Sequence, residues 1–209
     1  MRYLLPLFAA AAVTGAAAVM AQPASGWEIG PDIRGKNYSV NMPATLRESR
    51  EGAQFDFPYP DRRAGHVHYV TRRTGSLEGA RSMTIRYRID AAPGTRIVPQ
   101  QHPDRAATLS MFLQQRGDNW TARGPYESYR WYSKALFPVS PGTHEVTVDL
   151  KDDWKAVGST TSDGNPAAFR RSLADADRVG FTFGSAGGRG HGVYATAPAR
   201  FTLLDFEIR

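Results

Sequence analysis

The stretch Asn119-Trp120-Thr121-Ala122-Arg123-Gly124-Pro125-Tyr126-Glu127-Ser128-Tyr129-Arg130-Trp131-Tyr132 gathers the residue types that grip a sugar. A sugar ring presents a flat array of C–H groups and a rim of hydroxyls. Aromatic faces stack on the first; amide, guanidinium and carboxylate groups bond the second. On a strand, Tyr129 and Trp131 share one face, while Arg130, Tyr132 and Lys134 share the other. Trp120 and Tyr126 fall in the loop before it. The candidate ligand-binding residues are therefore Trp120, Tyr126, Tyr129, Arg130 and Trp131. For Tyr129 and Trp131 the competing role is the core, because a layered β-protein needs large apolar side chains inside.

Other constellations are less committed. In His66-Val67-His68 the alternation points both imidazoles the same way, so they could share a metal. A third ligand is not identifiable, and a solvated face beside Tyr69 explains the pair equally well. Gly187-Gly188-Arg189-Gly190-His191-Gly192 permits positive φ and close approach of a ligand. It carries no Gly-Lys-Ser/Thr and no following helix, so it is not a phosphate loop; it reads as a flexible hairpin. Asp149, Asp152, Asp153, Asp163, Asp205 and Glu207 supply oxygens but no Asp-x-Asp-x-Asp loop. A glycosidase needs two facing carboxylates, and nothing selects a pair. A nucleophile elbow, Gly-x-Ser-x-Gly, is absent. A uronate lyase needs a base and a group that neutralises the carboxylate; His66, His68, Arg72, Tyr129 and Arg130 could supply these. No residue is assigned as catalytic and none as a metal ligand.

The elements that must position these residues are short. Twenty Gly and 14 Pro break the chain into segments. Several alternate with period two: Gln54–Phe57, Met83–Asp90, Val146–Leu150 and Phe181–Phe183. Thr108–Gln115 is apolar on both faces and reads as a central strand. In the last strand Phe201, Leu203, Asp205 and Glu207 fall on one side, and Leu204, Phe206 and Ile208 on the other. One helix is expected, from Asn165 to Asp177, with Pro166 in its first turn and Phe169, Leu173 and Ala176 as its apolar stripe. About ten strands and one short helix indicate an all-β, two-sheet β-sandwich.

The C-terminal third makes this more specific. It runs from Thr143-His144-Glu145-Val146-Thr147-Val148-Asp149-Leu150 through Asp153-Trp154 to Val179-Gly180-Phe181-Thr182-Phe183-Gly184. It passes the glycine loop and ends in Phe201-Thr202-Leu203-Leu204-Asp205-Phe206-Glu207-Ile208. These segments resemble the close of a galactose-binding-like jelly-roll domain of the carbohydrate-binding-module type. The resemblance covers roughly residues 80–209. It implies a jelly-roll sandwich that holds a polysaccharide or oligosaccharide without chemistry of its own. It also implies that a structural calcium ion is an open question, because such ions are common in those domains. Two other roles stay open: a cell-envelope assembly protein gripping a protein partner, as jelly rolls of the complex I intermediate-associated type do, and a polysaccharide lyase.

The N-terminus adds an address. Arg2 precedes an apolar run from Leu4 to Met20, and Val19-Met20-Ala21 offers small residues for signal peptidase. Residues 1–21 are expected to be a cleaved signal peptide, 22–36 an N-terminal arm and 37–209 the sandwich domain. No second apolar span would anchor the mature chain. The protein is thus expected in the periplasm or outside the cell. With no cysteine, it is held by packing or by a bound ion rather than by disulfides. Twenty-six basic residues against 20 acidic give a net charge of +6. The arginines are scattered rather than clustered, which argues against a nucleic-acid partner.

Overall fold

The structure, a computed structural model, describes residues 24–209. The expected signal peptide, 1–21, lies outside the described residues. The strands are β1 (Ala24–Gly30), β2 (Asp32–Ile33), β3 (Lys36–Asn37), β4 (Thr45–Ser49), β5 (Gly52–Asp56), β6 (Tyr69–Arg73), β7 (Ser82–Ala91) and β8 (Ile97–Pro99). They continue with β9 (Thr108–Gln115), β10 (Arg130–Ser133), β11 (Phe137–Pro138), β12 (Gly142–Asp149), β13 (Trp154–Ala156), β14 (Ala176–Gly184), β15 (Val193–Ala195) and β16 (Ala199–Ile208). One α-helix, α1 (Pro166–Ala174), and one 3-10 turn, Gly124–Ser128, interrupt them. No helix among the described residues is long and apolar enough to cross a membrane.

The main sheet is antiparallel, in the order β12-β7-β16-β5-β4-β1-β6-β14-β9-β10-β13, with β11 beside β9. It is folded over on itself. Five strand spacings separate β16 from β14 along the sheet, about 24 Å if it were flat. Yet the rings of Phe181 (β14) and Phe201 (β16) lie 5.3 Å apart, and those of Phe183 and Phe201 5.7 Å. The two halves therefore face each other as the layers of a sandwich, with Phe55, Phe57, Tyr87, Phe181, Phe183 and Phe201 between them. The all-β sandwich expected from the alternating segments is what forms. β7 shows why: Met83, Ile85, Tyr87 and Ile89 are buried, and Arg86 and Asp90 are exposed. Each residue type obeys the two-residue period of a half-buried strand.

Three local features differ from the sequence expectation. Residues 24–30, within the expected arm, are tied into the sheet. As β1 they pair with β4 on one side and β6 on the other, at the fold line. Trp27 seals that line, 5.0 Å from Phe206 and 5.9 Å from Phe181. In β16 the register with β7 slips between Leu203 and Asp205, so alternation changes phase there. The bulge turns Asp205 out to solvent and Phe206 in. α1 starts where expected, with Asn165 Oδ1 accepting the Ala168 N–H at 3.2 Å. It ends earlier because Ala176 already pairs with Gln115 in the sheet.

Candidate functional site

One face of the sandwich buries large side chains outside the main core. On the outer side of the β1-β6-β14-β9-β10-β13 layer, Tyr69, Phe112 and Tyr132 form a second cluster, with Trp120 and Val157 packed on it. Alternation decides who takes part. On β9, Leu109, Met111 and Leu113 point inward, which turns Ser110, Phe112 and Gln114 outward. Register then sets Phe112 between Gly180 of β14 and Tyr132 of β10, with Lys155 of β13 beyond Tyr132. The Tyr69 and Phe112 rings meet edge to face at 4.9 Å, and Phe112 and Tyr132 at 5.5 Å. The two tyrosine hydroxyls are hydrogen-bonded at 2.8 Å. Burial pushes the pKa of both phenols up, Tyr69 well above its ordinary value, so each remains protonated.

Trp120 stands over this floor. Its backbone is left-handed, φ +65, a conformation an L-residue holds only when its surroundings impose it. The loop does so through side-chain carboxylate and amide oxygens: Asp118 Oδ1 accepts the Trp120 N–H at 3.2 Å, and Asn119 Oδ1 the Thr121 N–H at 3.0 Å. The indole lies edge-on to Tyr69 at 5.4 Å and covers the Arg130 guanidinium at 4.6 Å. Beneath it, Asp118 Oδ2 accepts the Gln114 amide at 2.9 Å and sits 2.9 Å from Arg130 Nε. Carboxylate, guanidinium and indole thus form one stack that fixes the plane of the Trp120 ring.

Two depressions adjoin this stack. The first, about 420 Å3, is lined by Tyr69, Trp120, Arg130, Tyr132, Lys155 and Arg189, among others. The second, about 560 Å3, is lined by Glu28, Thr71, Gln114, Asp118, Trp120 and Arg178, among others. Both are of the size of small-ligand sites. Pro31, Tyr69 and Trp120 line both, so the two join into one groove with Trp120 at the junction.

The glycine loop builds a wall of this groove and is packed rather than loose: Gly188, Gly190 and Gly192 are buried. A Cβ on Gly190, at φ +73, would lie 2.1 Å from Tyr69 Oη; one on Gly192 would lie 2.6 Å from His68 Nε2. Only glycine lets the loop come so close to these rings. His68 Nδ1 is 2.8 Å from the Gly190 carbonyl and its Nε2 is 2.7 Å from His66 Nδ1. A carbonyl only accepts, so His68 Nδ1 is the donor and His66 Nδ1 donates to His68 Nε2. Burial lowers the pKa of His68 to about 4 and that of His66 in the same direction. Both imidazoles are neutral near pH 7, and both nitrogens of His68 are engaged.

The five sequence candidates divide. Trp120 and Arg130 line the groove. Tyr126 and Tyr129 lie on the 3-10 turn and beside it, their rings 5.0 Å apart, and line neither depression. Trp131 is wholly buried and offers no face to a ligand. β10 begins at Arg130, so Trp131 takes the inward phase, where its Nε1 donates to Ser128 O at 2.7 Å and its ring meets Phe169 of α1. Among the described residues no three His, Cys, Asp or Glu side chains gather as a metal site. Three of the six carboxylates named for calcium are engaged locally: Asp153 with Lys134, Glu207 with Arg209, and Asp205 with the Phe206 N–H. Of the lyase set, His68 and Arg130 line the first depression, while Arg72 packs over Trp27 and Phe206 at the fold line. Sequence reading missed Lys155 altogether, placed Phe112 only within a central strand, and named Arg189 only as part of the glycine loop. Tyr132 was legible only as a companion of Arg130 on one strand face, and Tyr69 only as a neighbour of the histidines.

No protein-family model matches the chain, and no curated protein matches it. Among solved structures the chain is similar to a xylan-binding module CBM15, at 16% identity and a TM-score of 0.40, over 86% of this chain and 91% of that one. A likeness this distant transfers no ligand.

Proposed function

We propose that this is an exported, non-catalytic carbohydrate-binding β-sandwich protein, and that the groove on the outer face holds a polysaccharide. The observation that carries this reading is Trp120: a rigid indole at the junction of two continuous depressions, above a tyrosine-rich floor. A stacking plate serves a sugar well because its orientation is fixed before binding, so little rotamer entropy is lost. Amide, hydroxyl and guanidinium groups from Gln114, Thr71, Tyr132 and Arg130 line the two depressions beside it. The floor tyrosines and His68 support holding rather than chemistry. The tyrosines are protonated and bonded to each other, and His68 has no free lone pair to act as a base. The Ala-rich N-terminal run behind Arg2 supports export.

The test is calorimetry of the chain from Gln22 onward against soluble neutral and acidic polysaccharides, with Trp120→Ala beside it. Wild type should bind at least one polymer, and Trp120→Ala should weaken that binding by a factor on the order of 30. The Tm of the variant should move by only about 3 °C, because a half-buried loop residue contributes little to the core. A wild type that binds no polymer, or a variant that binds as well as wild type, overturns the reading. The envelope-assembly role would then lead.

A further inference from the structure

The two ends of the groove differ in charge. The second depression contains carboxylates, and its cation Arg178 is paired with Glu28 at 2.8 Å. The first is lined by Arg130, Lys155 and Arg189 and by no Asp or Glu. Arg130 is nearly buried, its side chain 7% exposed, with Asp118 on one side only. Its Nε and Nη2 are both buried and make no hydrogen bond among the described residues. Arg189 Nη1 and Nη2 donate to the carbonyls of Ala186 and Lys134, both at 3.1 Å, while its Nε has no acceptor among the described residues. Neutral carbonyls orient that guanidinium without neutralising it. Arg130 thus has one buried carboxylate beside it and Arg189 has none, an arrangement that costs free energy until an anion arrives. The tyrosine pair adds a donor. Two hydroxyls hold two hydrogens, and the bond between them uses one, so the other O–H is left to donate.

We infer that the polysaccharide is a polyuronate, and that the first depression receives a sugar carboxylate on Arg130 and Arg189, with the spare tyrosine O–H completing its shell. The inference rests on the groove being the glycan site and names the glycan. A uronate suits this place in two ways. A planar carboxylate matches the edge of a guanidinium, which donates two parallel bonds to it. Its ring can reach the Trp120 indole, which covers the same Arg130. Lys155, exposed at the rim, draws a polyanion toward the groove and makes the binding salt-dependent.

The experiment compares polygalacturonic acid, the same polymer with its carboxyls reduced to alcohols, and dextran sulfate, at low and at physiological salt. Arg130→Gln strands Asp118 and threatens the fold, so Arg189→Gln carries the test, with circular dichroism and Tm as folding controls. Polygalacturonic acid should bind wild type, and carboxyl reduction or Arg189→Gln should each weaken that binding about tenfold or more. If the reduced polymer binds as tightly as the acid, or Arg189→Gln keeps wild-type affinity, the inference fails while the groove remains a glycan site. If dextran sulfate binds and polygalacturonic acid does not, the carboxylate assignment fails. If no polymer binds, the glycan reading fails first and this one with it.

Discussion

Gly190→Ala is the sharpest probe of how the groove is built. Gly190 sits at φ +73, where an L-residue costs about 1–2 kcal/mol. Its new methyl would lie 2.1 Å from Tyr69 Oη, 2.4 Å from Cζ and 2.8 Å from Cε2. A flexible side chain could swing away, but Tyr69 cannot. It is buried, bonded to Tyr132 and wedged between Phe112 and Trp120. The loop must move instead, giving up the bond from His68 to the Gly190 carbonyl. Overpacking of this kind costs about 1–3 kcal/mol, so the total is about 2–5 kcal/mol. In urea unfolding the midpoint should fall accordingly, and Tm should drop by something on the order of 10 °C. Gly187→Ala is the control in the same loop. The nearest atom to its methyl is Arg105 Nη1 at 4.0 Å, so stability should stay within about 0.5 kcal/mol of wild type. Tyr69→Phe should not rescue Gly190→Ala, since Cζ and Cε2 remain in the way. If Gly190→Ala is as stable as Gly187→Ala, the loop is not held against Tyr69 and the wall of the groove is misplaced.

Two further outcomes follow from the same geometry. Trp131→Ala should cost about 3–5 kcal/mol, in urea unfolding, because a filled core site is emptied and the donor to Ser128 O and Ser172 Oγ is lost; a loss below about 1 kcal/mol would mean the ring is not in the core. Stability should also fall as the solution is acidified from pH 6.5 to 4. The unfolded chain takes up a proton at His68 near its ordinary pKa, while the folded protein refuses it until about pH 4. The contribution is complete above pH 6.5, is lost across that window by about 3 kcal/mol, and levels off below it. Denaturation at half-unit pH steps checks this; a profile for wild type no steeper than that of His68→Gln would show that the imidazole is solvated.

The tilt of charge along the groove gives the binding reading a physical shape. At one end Arg178 and Glu28 satisfy each other, and the pair presents mixed polarity. At the other, Arg130 and Arg189 have more N–H groups than acceptors. A ligand that lay across Trp120 would therefore meet different chemistry on its two sides, and one orientation of a directional polymer would be favoured.

The sequence by itself determined the layers. Met83, Ile85, Tyr87 and Ile89 bury one side of β7 because a strand has period two. Asn165 and Pro166 start α1 because a side-chain acceptor and a fixed φ suit a helix N-terminus. Local rules of this kind need no partner. They also made Trp120 and Arg130 visible, since both lie in one short aromatic and polar run. What they could not decide is which phase of a strand faces which layer. Trp131 went inward because β10 begins at Arg130 and pairs with Leu113 of β9, a fact of register. The bulge after Leu203 reversed Asp205 and Phe206 for the same reason. The floor of the groove draws Tyr69, Phe112 and Tyr132 from three strands, and the glycine loop supplies Arg189 from far along the chain. Their meeting depends on sheet order and on the fold at β1. Those are settled by closing long loops over a shared core, and no pattern within a single segment encodes them.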